Sequence, residues 1–175
     1  MNPLIGLTDE FAEKVQAMMS VIRGEGMSVK PFFGLRSPTE QAKLWRQSRT
    51  WEEIERKMEE LNKAGAPLLA KCIGHVGAQR GPRVTNAIPG LSWHQYGEAV
   101  DCFVVDEFGR AEWDANHKGY LVYAKAARLC GLKSGRDFGD PVHVQLNQQE
   151  PHQIYKLPEI EALLVERWPD LAALR

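Results

Sequence analysis

The sequence predicts an α+β fold, a small, mainly antiparallel sheet flanked by helices. Three observations carry that prediction. Amphipathic stretches with start and stop signals, such as Thr8 to Arg23, read as helices. The apolar run Ala99 to Val105, followed by the turn residues Asp106 to Arg110, reads as a buried strand entering a hairpin. Val142 to Leu146 alternates with period two, putting Val142, Val144 and Leu146 on one face and His143 and Gln145 on the other. At 175 residues, 43% of them hydrophobic, the chain is long enough for one good core and short for two, so residues 1–175 are expected to form a single domain.

In chain order, Phe11, Val15, Met18, Met19 and Ile22 recur at helical spacing behind Thr8-Asp9-Glu10, and Gly24 and Gly26 close this helix. Met27 to Leu35, rich in Val and Phe, reads as a strand. Pro31 has no N–H to give to a ladder and assigns that strand to a sheet edge or a bulge. Ser37-Pro38-Thr39-Glu40 combines an N-cap serine, proline at the first helical position and glutamate three residues after the cap. This capping box predicts a helix to Ser48 and leaves Arg36 at a strand-to-helix junction. Thr50 and Glu53 repeat the box for a charged, solvated helix to Ala64, stopped at Gly65. Ala66 to Gly90, dense in Gly and Pro and without a sustained period, is expected to be mostly loop. His117 to Cys130 reads as a helix ended by Gly131, and a last amphipathic helix is expected from Pro158 to Leu174.

Acidic and basic residues number 23 and 22, so no charge excess points to nucleic acid or to an anionic membrane surface. Cys72, Cys102 and Cys130 are an odd, widely spaced set without a C-x-x-C, which suits buried free thiols rather than a disulfide framework or a thiolate zinc site. No basic segment followed by an apolar one opens the chain, and no apolar run approaches about 18 residues. Neither a signal peptide nor a membrane anchor is therefore expected, and the chain is read as made in the cytoplasm. His75, His117 and His152 have no carboxylates at matching intervals and read as polar or capping residues.

One residue violates the pattern of its own strand. Asp101 lies between Val100 and Cys102, and a carboxylate is costly to bury unless it is paired or bound to a metal. Seven residues earlier stands His94, in Ser92-Trp93-His94-Gln95-Tyr96-Gly97, where Gly97 permits a sharp entry into the strand. His143, from the other strand, completes two imidazoles and one carboxylate. That set suits one zinc ion and leaves a fourth position for water, as hydrolysis requires. Asp140, in the turn implied by Gly139 and Pro141, is the candidate general base. Arg36 is the candidate donor to an oxyanion, and Ser92 is a candidate hydrogen-bonding partner of substrate.

These residues also carry a resemblance. SWHQYGEAVD, from Ser92 to Asp101, resembles the S-x-H-x-x-G-x-A-x-D motif of the zinc peptidases of family M15. Asp140-Pro141-Val142-His143 resembles the family's second motif, and GLRSPTEQAKLW, from Gly34 to Trp45, is similar to its Arg-Ser-x-x-Glu-Gln segment. VTNAIPGLSWH, from Val84 to His94, is similar to the lead-in to the first motif. The resemblance implies a fold shared with D-alanyl-D-alanine peptidases and hedgehog domains. It also implies zinc on His94, Asp101 and His143, Asp140 as base, and Arg36 and Ser92 in contact with substrate. One stretch departs from the family: Leu132 to Phe138 stands where a Trp-Gly-rich segment is usual.

Within the family the chain resembles the L-alanyl-D-glutamate endopeptidases, which include single-domain phage endolysins, and this implies cleavage of peptidoglycan stem peptides. With neither an export signal nor a separate wall-binding domain expected, the chain is read as a phage or prophage lysin, a monomer that a holin releases to the wall. Two alternatives stand beside this expectation. A D-alanyl-D-alanine carboxypeptidase or dipeptidase uses the same zinc machinery, and a zinc-binding module without catalysis would serve as an interaction domain. Retention of Asp140 and Arg36 argues against the module.

Overall fold

In the computed structural model, which describes residues 2–174, every helix and strand that the local signals predict is present, with two exceptions in extent, and two short elements, at 133–134 and 151–154, form where none is predicted. The helices are α1 (Asp9–Gly24), α2 (Pro38–Arg46), α3 (Trp51–Lys63), α4 (Pro67–His75), α5 (Lys118–Leu129), α6 (Pro151–Ile154) and α7 (Leu157–Arg167). The strands are β1 (Val29–Phe33), β2 (Ala99–Val105), β3 (Ala111–Glu112), β4 (Lys133–Ser134) and β5 (His143–Gln145). The chain divides into two compact units, one of residues 1–35 and 96–148, the other of residues 36–95 and 149–175.

The first unit contains the sheet. Its order is β1-β2-β5-β4, with β3 pairing β2, and every pairing is antiparallel. The ladder shifts register between Pro31 and Phe33 on β1, at the end of that order, so the proline sits at an edge strand's bulge as expected. Alternation along β2 and β5 decides which face is apolar. Val100, Cys102, Val104 and Val144 join Phe11, Val15, Met18 and Ile22 of α1 and Tyr120, Tyr123, Ala126 and Ala127 of α5 in one core. Phe11, Met18 and Ile22 are fully buried, so truncating any one to alanine costs ~2–5 kcal/mol. Asp101 and His143, at the intervening positions, are thereby directed to the opposite face.

The second unit is helical. Both predicted capping boxes are present, Ser37 with Glu40 on α2 and Thr50 with Glu53 on α3. The first exception lies here, because Ala66 to Gly90 is not mostly loop: residues 67–75 form α4. Leu69, Ala70, Cys72 and Ile73 are buried while Pro67, Lys71 and His75 stay exposed, so the helix is amphipathic, but at nine residues it is too short for the period to be sustained. Its caps also come from elsewhere in the sequence. The carboxylate of Glu161 accepts the N–H groups of Leu68 and Leu69, at 2.6 and 3.0 Å, and buried Arg46 donates to the carbonyls of Ile73 and Gly74 at the other end, at 3.1 and 3.2 Å. A carboxylate at the N-terminus and a guanidinium at the C-terminus match the helix dipole, and neither is visible locally.

The second exception is the C-terminal helix. It stops at Arg167, and a short 3-10 helix over Pro169–Ala173 follows. Pro169 lacks the N–H a continuing helix needs and pushes Trp168 out of helical geometry, to φ −128 and ψ 75.

Candidate metal centre

Asp101 on β2 and His143 on β5 are partners directly across the antiparallel ladder. Such positions bring side chains within reach of each other. His143 Nδ1 lies 3.0 Å from Asp101 Oδ1, and both side chains are nearly buried, at 8% and 9% exposure. On the other side of the ring, His143 Nε2 lies 3.0 Å from Gln145 Oε1, and Gln145 Nε2 donates to the carbonyl of Asn147 at 2.8 Å. That last bond orients the amide so that its oxygen accepts from His143. A neutral imidazole carries one N–H, so donation from Nε2 leaves the Nδ1 lone pair facing a carboxylate oxygen. Only a proton or a shared cation resolves that meeting of two acceptors. Burial pushes the His143 imidazole down, but the hydrogen bond and charge of Asp101, the charge of Asp140 and the bond to Gln145 outweigh it, and the net shift is upward.

His94 sits in a 3-10 turn, Trp93–Tyr96, and is 3% exposed. Its carbonyl accepts the backbone N–H of Arg36 at 3.1 Å, and the carbonyl of Ser92 accepts the N–H of Gln95 at 3.1 Å. Gln95, fully buried, holds the turn from both sides. Its Oε1 accepts from Gly90 N–H at 3.1 Å, and its Nε2 donates to Gln41 Oε1 at 3.2 Å. Gln41, also fully buried, accepts from an Arg36 guanidinium nitrogen at 2.9 Å and donates to the Ala87 carbonyl at 2.6 Å. Arg36 and the turn that carries His94 are thus joined by a hydrogen-bonded glutamine pair. Trp93, at 4% exposure, and Trp168 complete the frame, donating their indole N–H groups to the carbonyls of Gln149 and Gln95.

The ligand atoms of His94, Asp101 and His143 all lie within 4.8 Å of one another, and all three side chains are buried. The structure therefore brings together the three residues that the sequence singles out. Two imidazoles with one carboxylate is a donor set suited to zinc, and a ring nitrogen of His143 lies 3.0 Å from a carboxylate oxygen of Asp101.

Asp140 lies apart from the strands, on an exposed turn. Its N–H donates to Gly135 at 2.9 Å and its carbonyl accepts from His143 N–H at 3.2 Å, closing a four-residue turn with Pro141 in second position. Gly139 precedes it with φ +89, a left-handed value that glycine adopts without strain. The stretch that departs from the family pattern builds this region. A Cβ on Gly135 would collide with the carbonyl oxygen of Asp140 and with His143 Cβ, so only glycine permits the approach. The ring of Phe138 meets His143 edge-on at 5.7 Å. Arg36 stands at the predicted strand-to-helix junction, half-buried, and Ser92 is half-buried in the loop before His94.

The residues that sequence reasoning passed over are Gln41, Gln95, Gln145 and Gly135. Gln145 was detectable, since it shares His143's face two residues on. Gln41 ends the Arg-Ser-x-x-Glu-Gln segment, and its partnership with Arg36 supplies a reason for that spacing.

Residues 4–129 match the family described as VanY, D-alanyl-D-alanine carboxypeptidase. The chain belongs to the VanY family. No curated protein is matched. Among solved structures, the L-Ala D-Glu endopeptidase ChiX of Serratia marcescens is similar at 19% identity over 83% of this chain and 84% of that one, with a TM-score of 0.46. A variant of the vancomycin resistance D,D-pentapeptidase VanY from the VanB-type resistance cassette, in complex with Zn(II), is similar at 18% identity over 88% and 83%, with a TM-score of 0.47. VanYB in complex with D-alanine-D-alanine is similar at 16% identity over 97% and 84%, with a TM-score of 0.45. As a member of the VanY family the chain is a zinc peptidase of peptidoglycan. The matched residues include Arg36, Ser92, His94 and Asp101 and stop short of His143, which pairs with Asp101 across the ladder, and of Asp140, whose carbonyl accepts the His143 N–H. Among the described residues no helix is long and apolar enough to cross a membrane.

Proposed function

We propose that this chain is an L-alanyl-D-glutamate endopeptidase acting on peptidoglycan stem peptides, with His94, Asp101 and His143 as the ligands of one zinc ion. The observation that carries the reading is the buried Asp101–His143 pair with Asp140 in the turn that leads into it. Bound zinc supplies Lewis acidity toward the peptide carbonyl and activates a water. The chain's own residues do the rest. Asp140, exposed and not a ligand, takes a proton from the attacking water and returns it to the amine as the carbon–nitrogen bond breaks. Arg36 offers positive charge to the carbonyl oxygen, and Ser92 hydrogen-bonds the substrate backbone. By accepting a hydrogen bond from Nε2, Gln145 would favour the tautomer in which His143 offers its Nδ1 lone pair to the metal beside Asp101.

The biological setting proposed is a phage or prophage lysin, made in the cytoplasm as one monomeric peptidase domain and released to the wall by a holin. A second reading, D-alanyl-D-alanine carboxypeptidase, is favoured by the description of the matched family. Digestion of purified peptidoglycan, followed by mass spectrometry of the new termini, separates the readings. A D-glutamate amino terminus is the expected product. Free D-alanine would replace the first reading by the second, and no product at all would leave a zinc-binding module.

A further inference from the structure

The face of the sheet that carries Asp101 does not end at the metal ligands. On β2, Phe103 stands two residues beyond Asp101 and on the same face, about 7 Å further along the strand. There it meets Phe32 of β1 and Trp113, which follows β3. Ring centroids are 5.4 Å apart for Phe32 and Trp113, 5.5 Å for Phe103 and Trp113, and 6.0 Å for Phe32 and Phe103. Trp113 is 59% exposed and Phe32 39%. Three clustered aromatic rings, two exposed and the third half-buried beneath them, on the same face of the sheet as two candidate metal ligands, are unlike the single apolar side chains scattered over an ordinary surface. Their mutual contacts hold the rings in place before any ligand arrives, so little side-chain entropy is lost on binding. Lys30, opposite Phe103 across the ladder, is exposed and adds a polar group at the margin.

We propose that Phe32, Phe103 and Trp113 form a platform on which a sugar ring of the peptidoglycan glycan strand stacks while the attached peptide reaches the metal ligands. The inference rests on the endopeptidase reading above and sharpens it. A pyranose ring presents axial C–H groups on its flat faces, and their positive edge suits the negative face of an aromatic ring, while its hydroxyls stay in water. Spacing selects which bond is cut. The stem peptide leaves its sugar through a lactyl group and then L-alanine, so the bond between L-alanine and D-glutamate lies two residue-lengths from the ring, about 7 Å at ~3.3–3.6 Å each. That equals the separation between Asp101 and Phe103. A D-alanyl-D-alanine bond at the far end of the peptide lies several residues further away and would put the sugar beyond the platform.

The test uses the zinc-loaded full chain and two substrates with the same stem peptide, one free and one carrying its disaccharide. The disaccharide is expected to raise kcat/KM by about tenfold, and Trp113→Leu and Phe103→Leu to reduce that ratio toward one, as removal of stacking partners should. Because the readout is a ratio, a general loss of folding or of zinc does not imitate it. A titration with peptide-free disaccharide, followed by tryptophan fluorescence, provides a readout apart from catalysis: the wild type should respond and Trp113→Leu should not. Cleavage at L-alanyl-D-glutamate with no effect of sugar on the ratio would overturn the platform and leave the endopeptidase. Cleavage elsewhere would overturn the endopeptidase and, with it, the spacing that ties the platform to catalysis; a fluorescence response of Trp113 to the disaccharide would then mark a sugar site that takes no part in the cut.

Discussion

The strand pair that holds Asp101 and His143 and the turn that holds Asp140, which leads directly into the His143 strand, solve opposite problems. On the strands, each functional side chain is buried, set by the register of a ladder whose reverse face is the hydrophobic core. On the turn, Asp140 is exposed and depends on two backbone hydrogen bonds, a glycine with positive φ and the bare backbone of Gly135. A metal ligand must be in position whatever the state of the substrate, and a core-backed ladder ensures it. A proton carrier needs water and a small freedom of movement, which a surface turn supplies.

The largest expected effect breaks the strand side of this contrast. His143→Ala should lose both zinc and turnover, and because it strands a buried carboxylate it should also cost the metal-free protein about 3 kcal/mol, measured by denaturant unfolding. Asp140→Ala should come next and break only the turn side. Zinc content stays stoichiometric while kcat falls by about 10²–10⁴, the contribution of a positioned base; full activity in this variant would remove Asp140 from the mechanism. Smaller still, Gln145→Leu should weaken zinc affinity by about 10–100-fold in competition with a chelator, with activity restored at saturating zinc. An unchanged affinity would mean that the ladder alone orients His143.

Much of the candidate site was legible because its signals are local. Asp101 is conspicuous as a carboxylate in an apolar strand, and His143 alternates against Val142 and Val144, so residue type and period mark both. The capping boxes of α2 and α3 are equally local, and both form. What escaped is what depends on distant partners. Helix α4 is only nine residues long and takes its caps from Glu161 and Arg46, 93 and 27 residues away. Gln41 and Gln95 have no distinguishing pattern until they meet each other across 54 residues. The C-terminal helix was overextended because periodicity outlasts the break that Pro169 imposes.

By itself, then, the sequence determined the α+β alternation, the strand faces and which residues are candidate ligands, since hydrophobic period and side-chain chemistry are properties of neighbouring positions. Tertiary structure decided that His143 Nδ1 meets Asp101 Oδ1 and Nε2 meets Gln145 Oε1, each at 3.0 Å, and that Phe32, Phe103 and Trp113 cluster together. Those are register and pairing facts: a slip of one residue in the β2–β5 ladder would turn a ligand into the core.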